Sequence, residues 1–191
     1  MIYEALSCLT EDMNEYFRNK LKINEDKVVL SGLVNQDGTI AIQGENKIIA
    51  TLVNIERETA QKVNEKSLSN SLGNMAPPLY LNVYVLFSAY FSSGNYPEAL
   101  RFLSFTIGFF QHKNVFTKSN TPGLDLKIDK LTFEITDLNP DKLSNIWTTL
   151  GAKYMPSVLY KMRMLNIDES IVREYRPTVS SMQNDTNPET F

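Results

Sequence analysis

The chain has 191 residues, of which 42% are hydrophobic and 21% charged, and this balance is typical of a globular protein that buries a core without disulfides. The net charge of −3 and the pI of about 5.3 argue against a nucleic-acid-binding protein, because such a protein needs basic surface to replace phosphate counterions. The single cysteine, Cys8, excludes an intrachain disulfide. The sequence shows neither an apolar run long enough for a membrane span nor the basic start of a signal peptide. We therefore expect a soluble cytoplasmic protein.

An amphipathic helix is predicted at the start of the chain. Apolar side chains recur there every three to four residues and line one face: Ile2, Leu6, Leu9, Met13, Phe17 and Leu21. A β-rich stretch follows, with strands predicted at residues 28–34, 39–43 and 48–56 and a turn at Asp37-Gly38. We predict a meander of two or three strands, the last of which enters the interior of a sheet.

Residues 57–76 have no clear pattern, because small polar residues dominate and the apolar ones are scattered. A loop of this length inside a compact domain is usually either functional or disordered. Two interpretations therefore stay open. The loop contacts a neighbouring protein, with Lys66 and Asn70 as candidate contact residues, or it is a flexible excursion.

The run PPLYLNVYVLFSAY at residues 77–90 is the most informative part of the sequence. Its alternate positions are apolar on both faces, which predicts a central strand with cover on each side. A helix is predicted next, at residues 96–111, with Pro97 and Glu98 favouring its N-terminus. Its predicted buried stripe is Leu100, Leu103, Ile107 and Phe110. Strand and helix together hold an unusual number of aromatic residues. We expect most of them in the core, and the excess could line a subunit interface, where aromatic residues are enriched. The set is Tyr80, Tyr84, Phe87, Tyr90, Phe91, Phe102, Phe105, Phe109 and Phe110.

The last predicted elements are a half-exposed strand at residues 130–136, a helix between Asn139 and Gly151, and a long strand at residues 154–165. Leu131, Phe133 and Ile135 are the predicted inward side chains of the half-exposed strand. We predict one domain over residues 1–175 and a flexible tail at 176–191. The fold class is α/β of the α+β type, with a mixed, largely antiparallel sheet and helices packed on it.

No residues in the sequence form a recognisable catalytic or metal site. The only histidine, His112, follows a predicted helix and suits the helix dipole there, while Cys8 lies beside the apolar stripe of the first helix. These two residues cannot supply the four ligands of a structural zinc site, and no nucleotide-binding or hydrolase motif occurs. We therefore expect no enzyme activity, no cofactor and no metal.

Several collinear segments resemble one known family. They are IYEAL at residues 2–6, LVNIE at 52–56, PPLYLNVY at 77–84, YPEAL at 96–100, LTFE at 131–134, IWTTLG at 146–151 and YMPSVLY at 154–160. In order and spacing these segments are similar to the N-terminal domain of the tail-terminator, or cap, proteins of extracellular contractile injection systems of the antifeeding-prophage type. The similarity extends over roughly residues 1–167, and no single motif in it is diagnostic.

The resemblance implies a structural protein with a tail-terminator-like fold. A hexameric ring of copies would sit at the baseplate-distal end of the inner tube and the contractile sheath, stop polymerisation and fix the particle length. The implied partners are the inner tube protein, the sheath protein and further copies of this chain, without nucleic acid or a membrane span. Assembly in the bacterial cytoplasm is expected, followed by residence in the assembled particle, either inside the cell or released from it.

A terminator can bind an extended arm of a sheath subunit by strand addition, which requires an open sheet edge. The strand at residues 154–165 is the predicted edge, and its candidate interface residues are Tyr160, Lys161, Met162 and Arg163. Two other functions stay open at this point. One is another component of a phage-like tail, such as a baseplate or tube-initiator subunit, and the other is an α/β enzyme with an unrecognised site.

Overall fold

A computed structural model describes residues 1–58 and 79–167, and the side chains of residues 1–58 and 80–164. The described elements, in chain order, are α1 (Ile2–Leu21), β1 (Val28–Leu30), β2 (Lys47–Arg57), β3 (Leu79–Tyr90), a short 3-10 turn (Ser93–Asn95), α2 (Tyr96–His112), β4 (Val115–Thr117), β5 (Lys130–Ile135), α3 (Pro140–Leu150) and β6 (Ser157–Ile167). The strands form one sheet in the order β1-β2-β3-β6-β5-β4. Only β1 and β2 are parallel, so the predicted fold class, a largely antiparallel mixed sheet with helices packed on it, is confirmed.

The larger core lies between one face of the sheet and helices α1 and α2. Its centre is Phe110, whose ring centroid lies 4.2 Å from that of Tyr160, 4.9 Å from Phe133 and 5.3 Å from Phe87. Of the aromatic residues singled out in the sequence, Phe87, Phe102, Phe109 and Phe110 are buried in this core, and Phe91 and Phe105 pack against it. Leu100, predicted inside the apolar stripe of α2, is instead 44% exposed. The helix turns its phenylalanines inward, because aromatic rings bury more apolar area than leucine does.

A smaller core lies on the opposite face of the sheet, under α3. It contains Trp147 together with Ile49, Leu86 and Leu159 from three neighbouring strands. The predicted helix limits are confirmed: the Asn139 side chain accepts a hydrogen bond from the Lys142 N–H, and Gly151 ends α3 with a φ of 65°. The strand pair β3 and β6 is thus covered on both faces near Leu86 and Leu159, as the sequence predicted for β3.

The predicted meander in the first β region is wrong. β1 pairs in parallel with β2, and residues 39–43 contribute only an isolated bridge between Val34 and Ile40. The side chain of Asn14 in α1 accepts hydrogen bonds from the N–H groups of Lys27 and Val28 and donates one to the Val28 carbonyl. These bonds fix the start of β1 against the helix.

The predicted sheet edge at residues 154–165 is also wrong. This segment forms β6, which lies inside the sheet with β3 on one side and β5 on the other. Met162, for example, pairs with Val83 and with Phe133. The alternation that suggested an edge arises because the strand serves two cores, Tyr160 in the larger one and Leu159 in the smaller one. An interior strand has no free backbone groups for an added strand.

One further expectation fails at the end of β5. Leu131 and Phe133 are buried as predicted, but Ile135 is 55% exposed. Ile135 pairs with Tyr160 at the end of the strand, where the chain leaves the sheet towards α3.

Candidate assembly surfaces

The four β6 residues predicted at an interface are divided between the two faces of the sheet. Tyr160 and Met162 are 3% and 0% exposed in the larger core, and burial raises the pKa of Tyr160 to about 12. Lys161 and Arg163 lie on the opposite face and retain access to solvent. Of the four, only these two bases are accessible to a partner. Lys66 and Asn70 lie outside the described residues.

Lys161 and Arg163 belong to an ion-pair network that joins β6 to β5 and to Glu58, the residue after β2. Lys161 Nζ lies 3.3 Å from Glu134 Oε2, and Arg163 Nη2 lies 3.2 Å from the same oxygen. Arg163 Nε lies 3.8 Å from Glu58 Oε2. A partner that binds either base must therefore compete with an existing ion pair. Solvent-exposed ion pairs such as the one between Arg163 and Glu134 contribute little free energy, so this competition costs little.

A second polar group adjoins this network on the same sheet face. The Tyr84 hydroxyl donates to Glu56 Oε2 over 3.0 Å, and Asn54 Nδ2 donates to Glu56 Oε1 over 3.2 Å. Burial, followed by the hydrogen bond to Glu56, raises the pKa of Tyr84. The neighbouring Asn82 is 8% exposed, and its Oδ1 has no hydrogen-bond donor in the part of the chain that the structure describes. This half of the face is therefore polar, in contrast to the half under α3.

Within residues 1–58 and 79–167, an open sheet edge lies on β2 rather than on β6. β2 has 11 residues, but β1 covers only Ile48–Ala50. Beyond β1, residues 52–57 pair with β3 alone among the described residues. Leu52 and Ile55 on this stretch are 40% and 42% exposed. Among the described residues, the stretch thus has no strand partner on its outer side, and it offers apolar side chains to an incoming segment.

The opposite edge of the sheet is closed by a side chain. Asn120 Nδ2 donates to the Val115 carbonyl over 2.9 Å, and Asn120 Oδ1 accepts from the Thr117 N–H over 2.9 Å. These bonds occupy outward-facing backbone groups of β4, which is a common protection of edge strands against unwanted pairing. Within the described sheet, the stretch at residues 52–57 is accordingly the better site for strand addition.

A third surface lies at the end of the sheet where β3 finishes and β6 begins. Two cavities of about 370 and 220 Å³ adjoin there, and Tyr154 lines both. Tyr154 is 63% exposed, and its ring packs edge-on against Trp147 with 5.7 Å between centroids. Tyr96, 54% exposed, lines the smaller cavity. Exposed aromatic residues around a cavity are typical of protein interfaces.

The described residues contain no group of three or more His, Cys, Asp or Glu side chains placed to hold a metal ion. Burial raises the pKa of the Cys8 thiol, and the nearby Asp12 and Glu11 add to the effect. Cys8 is therefore a protonated, buried side chain rather than a nucleophile. His112 is exposed at the end of α2, where the sequence predicted it. No helix in the described ranges, 1–58 and 79–167, has the length and apolar character of a membrane span.

Comparison with known protein families identifies the family to which this chain belongs. The model of the Pvc16 N-terminal domain matches residues 6–181. The chain belongs to the Pvc16 N-terminal domain family. The resemblance found in the sequence is thus confirmed, and the open β2 edge and the aromatic cavities are features of a member of this family.

Two solved structures share the fold of this Pvc16 N-terminal domain. One is the sheath/tube terminator of PVC, an extracellular contractile injection system, in the extended state, with a TM-score of 0.57 and 13% identity over 100% of this chain and 65% of that one. The other is the tube terminating cap of the anti-feeding prophage, with a TM-score of 0.53 and 15% identity over 92% of this chain and 59% of that one. The chain thus spans less than two thirds of either relative. No curated protein sequence matches it.

Proposed function

We propose that this protein is a non-enzymatic terminator of a contractile injection system, which caps the baseplate-distal end of the inner tube and sheath and so fixes the particle length. The observation that carries the proposal is the match to the Pvc16 N-terminal domain over residues 6–181. The fold shared with a sheath/tube terminator and a tube terminating cap supports it. The partners are the tube protein, the sheath protein and further copies of the chain in a hexameric ring. Assembly takes place in the bacterial cytoplasm, before any release of the particle.

The geometry supports a specific way of binding the sheath. The open edge at residues 52–57 accepts an extended arm of a sheath subunit as an additional strand. Main-chain hydrogen bonds hold such an arm in register, while Leu52 and Ile55 contact its apolar side chains. Lys161 and Arg163, two bases from the original candidate set, lie on β6, which β3 separates from the open edge, and contact an acidic part of the same partner.

The terminator proposal is tested by removing the protein from cells that carry the rest of the injection system. We expect particles with a broad distribution of tube lengths, because nothing stops tube growth, and restoration of one length when the intact gene is returned. Electron microscopy of negatively stained particles measures the distribution. An unchanged, narrow length distribution without the protein would contradict the proposal and favour a different role in the particle.

A further inference from the structure

Two serines face each other across β3 and β6 on the sheet face that carries the smaller core. Ser88 pairs with Ser157, one row along from the pair of core residues Leu86 and Leu159. Ser88 is 0% exposed, and both hydroxyl oxygens are buried without a hydrogen-bond partner in the part of the chain that the structure describes. Buried polar groups in folded proteins are bonded to protein or to ordered water, so two such hydroxyls side by side require a partner.

Backbone pairing brings the two serine side chains close together. In the next pair along the strands, the Ala89 N–H donates to the Pro156 carbonyl over 2.9 Å. Because hydrogen-bonded and non-hydrogen-bonded pairs alternate, Ser88 and Ser157 form a non-hydrogen-bonded pair, in which side chains lie closer. Directly opposite Cβ atoms are about 4.5–5.5 Å apart. One water molecule, at roughly 2.8 Å from each hydroxyl oxygen, is long enough to bridge the two serines.

A third polar group at the same place lacks its usual donor. A hydrogen-bonded antiparallel pair normally exchanges two bonds, but Pro156 has no N–H, so the reciprocal bond to the Ala89 carbonyl cannot form. The cavity of about 220 Å³ that Ala89 and Pro156 line gives solvent a path to this end of the ladder. Two hydroxyls and one carbonyl thus converge where β6 begins, and about three hydrogen bonds are typical of a buried water.

We propose that Ser88, Ser157 and the Ala89 carbonyl bind one long-lived water molecule, which joins β3 to β6 where Pro156 interrupts the ladder. The water donates one hydrogen bond to the Ala89 carbonyl and one to a serine hydroxyl, and it accepts one from the other serine. It thereby replaces the ladder donor that Pro156 lacks. A direct bond between the two serines would leave the Ala89 carbonyl without a donor from β6, which is why a shared water fits this site better.

Magnetic relaxation dispersion of the oxygen-17 nuclei of water tests the site, because its amplitude counts water molecules that stay bound longer than the protein takes to tumble. The full chain is compared with the double variant Ser88→Ala, Ser157→Ala. We expect the amplitude to fall by the contribution of one water molecule, since the remaining apolar walls and single carbonyl do not hold it. Ser104→Ala is the matched control, because it removes an exposed hydroxyl bonded to the Leu100 carbonyl, and we expect an unchanged amplitude.

An unchanged amplitude in the folded double variant would overturn the proposal and indicate a direct hydrogen bond between the two serines. If the double variant does not fold, the single variants Ser88→Ala and Ser157→Ala decide the question. Each removes one of the three hydrogen bonds, so we expect the water to exchange faster and the amplitude to fall in both. An amplitude equal to that of the unmodified protein in both single variants would also overturn the site.

Discussion

Trp147 is the residue on which the smaller core depends. It is 5% exposed and packs with Leu86 and Leu159 on the sheet face opposite α1 and α2. Its indole N–H, however, has no partner among the described residues, and a buried unpaired donor costs about 1–3 kcal/mol. As far as the described residues go, the side chain therefore stabilises the fold through its buried apolar area and not through a hydrogen bond.

Substitutions at Trp147 separate these two contributions. We expect Trp147→Ala to lower the free energy of unfolding by about 3–5 kcal/mol, because it removes a large buried ring. Trp147→Phe keeps an aromatic ring and removes the unpaired donor, so we expect a loss of about 1 kcal/mol or less. Urea denaturation followed by circular dichroism measures both. A loss under about 1 kcal/mol for Trp147→Ala would show that α3 contributes little to the core.

Other single residues join elements that are distant in sequence. Lys113 Nζ lies 2.6 Å from Asp12 Oδ2, donates to the Asn120 carbonyl over 3.0 Å and lies 4.7 Å from the centroid of the Phe116 ring. This cluster ties α1 to the end of α2 and to β4. Neither Asp12 nor Lys113 stands out in the sequence, because an ion pair between residues so far apart has no local pattern.

At the scale of elements, the prediction from sequence succeeds where local chemistry decides the structure. The helix from Asn139 to Gly151 has its cap and its first-turn proline at one end and its terminal glycine at the other, and all three act as predicted. It fails where strand order decides the structure. An alternating strand such as β6 has the same pattern at an edge or in the interior, and only pairing with β3 and β5 distinguishes the two.

The candidate site, too, depends on pairing and packing between elements, which the sequence does not show locally. The sequence predicted that the strand at residues 48–56 enters the interior of the sheet, and only its first half does so. The shortness of β1, which leaves residues 52–57 paired with β3 alone among the described residues, has no signal in the sequence. The cavity at Tyr154 requires α3, β3 and the segment before β6 to meet, so the sequence offers no signal for it.

The open edge of β2 gives a prediction at this scale. The Glu58 N–H donates to the Tyr80 carbonyl, and backbone groups alternate in direction along a strand, so the N–H of Ile55 faces away from β3. Ile55→Pro removes that outward donor, and proline is tolerated at an edge. We expect a folded protein that still forms the ring and ends the tube but no longer retains the sheath, as seen by electron microscopy of particles.

Ile55→Ala is the matched control for this experiment. It truncates the same side chain but keeps the N–H, so we expect weakened but persistent attachment of the sheath, because the main-chain hydrogen bonds and Leu52 remain. A normally capped sheath in Ile55→Pro would show that the sheath does not add a strand at residues 52–57. Loss of the ring in Ile55→Pro would instead place this edge between copies of the chain.

At the scale of the whole molecule, the two cores share one sheet. Strands β3 and β6 contribute Phe87 and Tyr160 to the larger core and Leu86 and Leu159 to the smaller core. Adjacent residues of one strand therefore belong to different cores, and neither core can lose its strands while the other keeps them. This arrangement predicts a single cooperative unfolding transition for the described fold.

The single tryptophan makes this cooperativity measurable, because Trp147 fluorescence reports on the smaller core alone while far-UV circular dichroism reports on all elements. Ile128 is 0% exposed in the larger core and lies in the loop before β5. We expect Ile128→Ala to destabilise the protein by about 2–5 kcal/mol. We also expect it to shift the urea midpoint of Trp147 fluorescence as far as that of circular dichroism. A fluorescence midpoint that stays in place while the dichroism midpoint moves would show that α3 and its core unfold independently of the rest of the sheet.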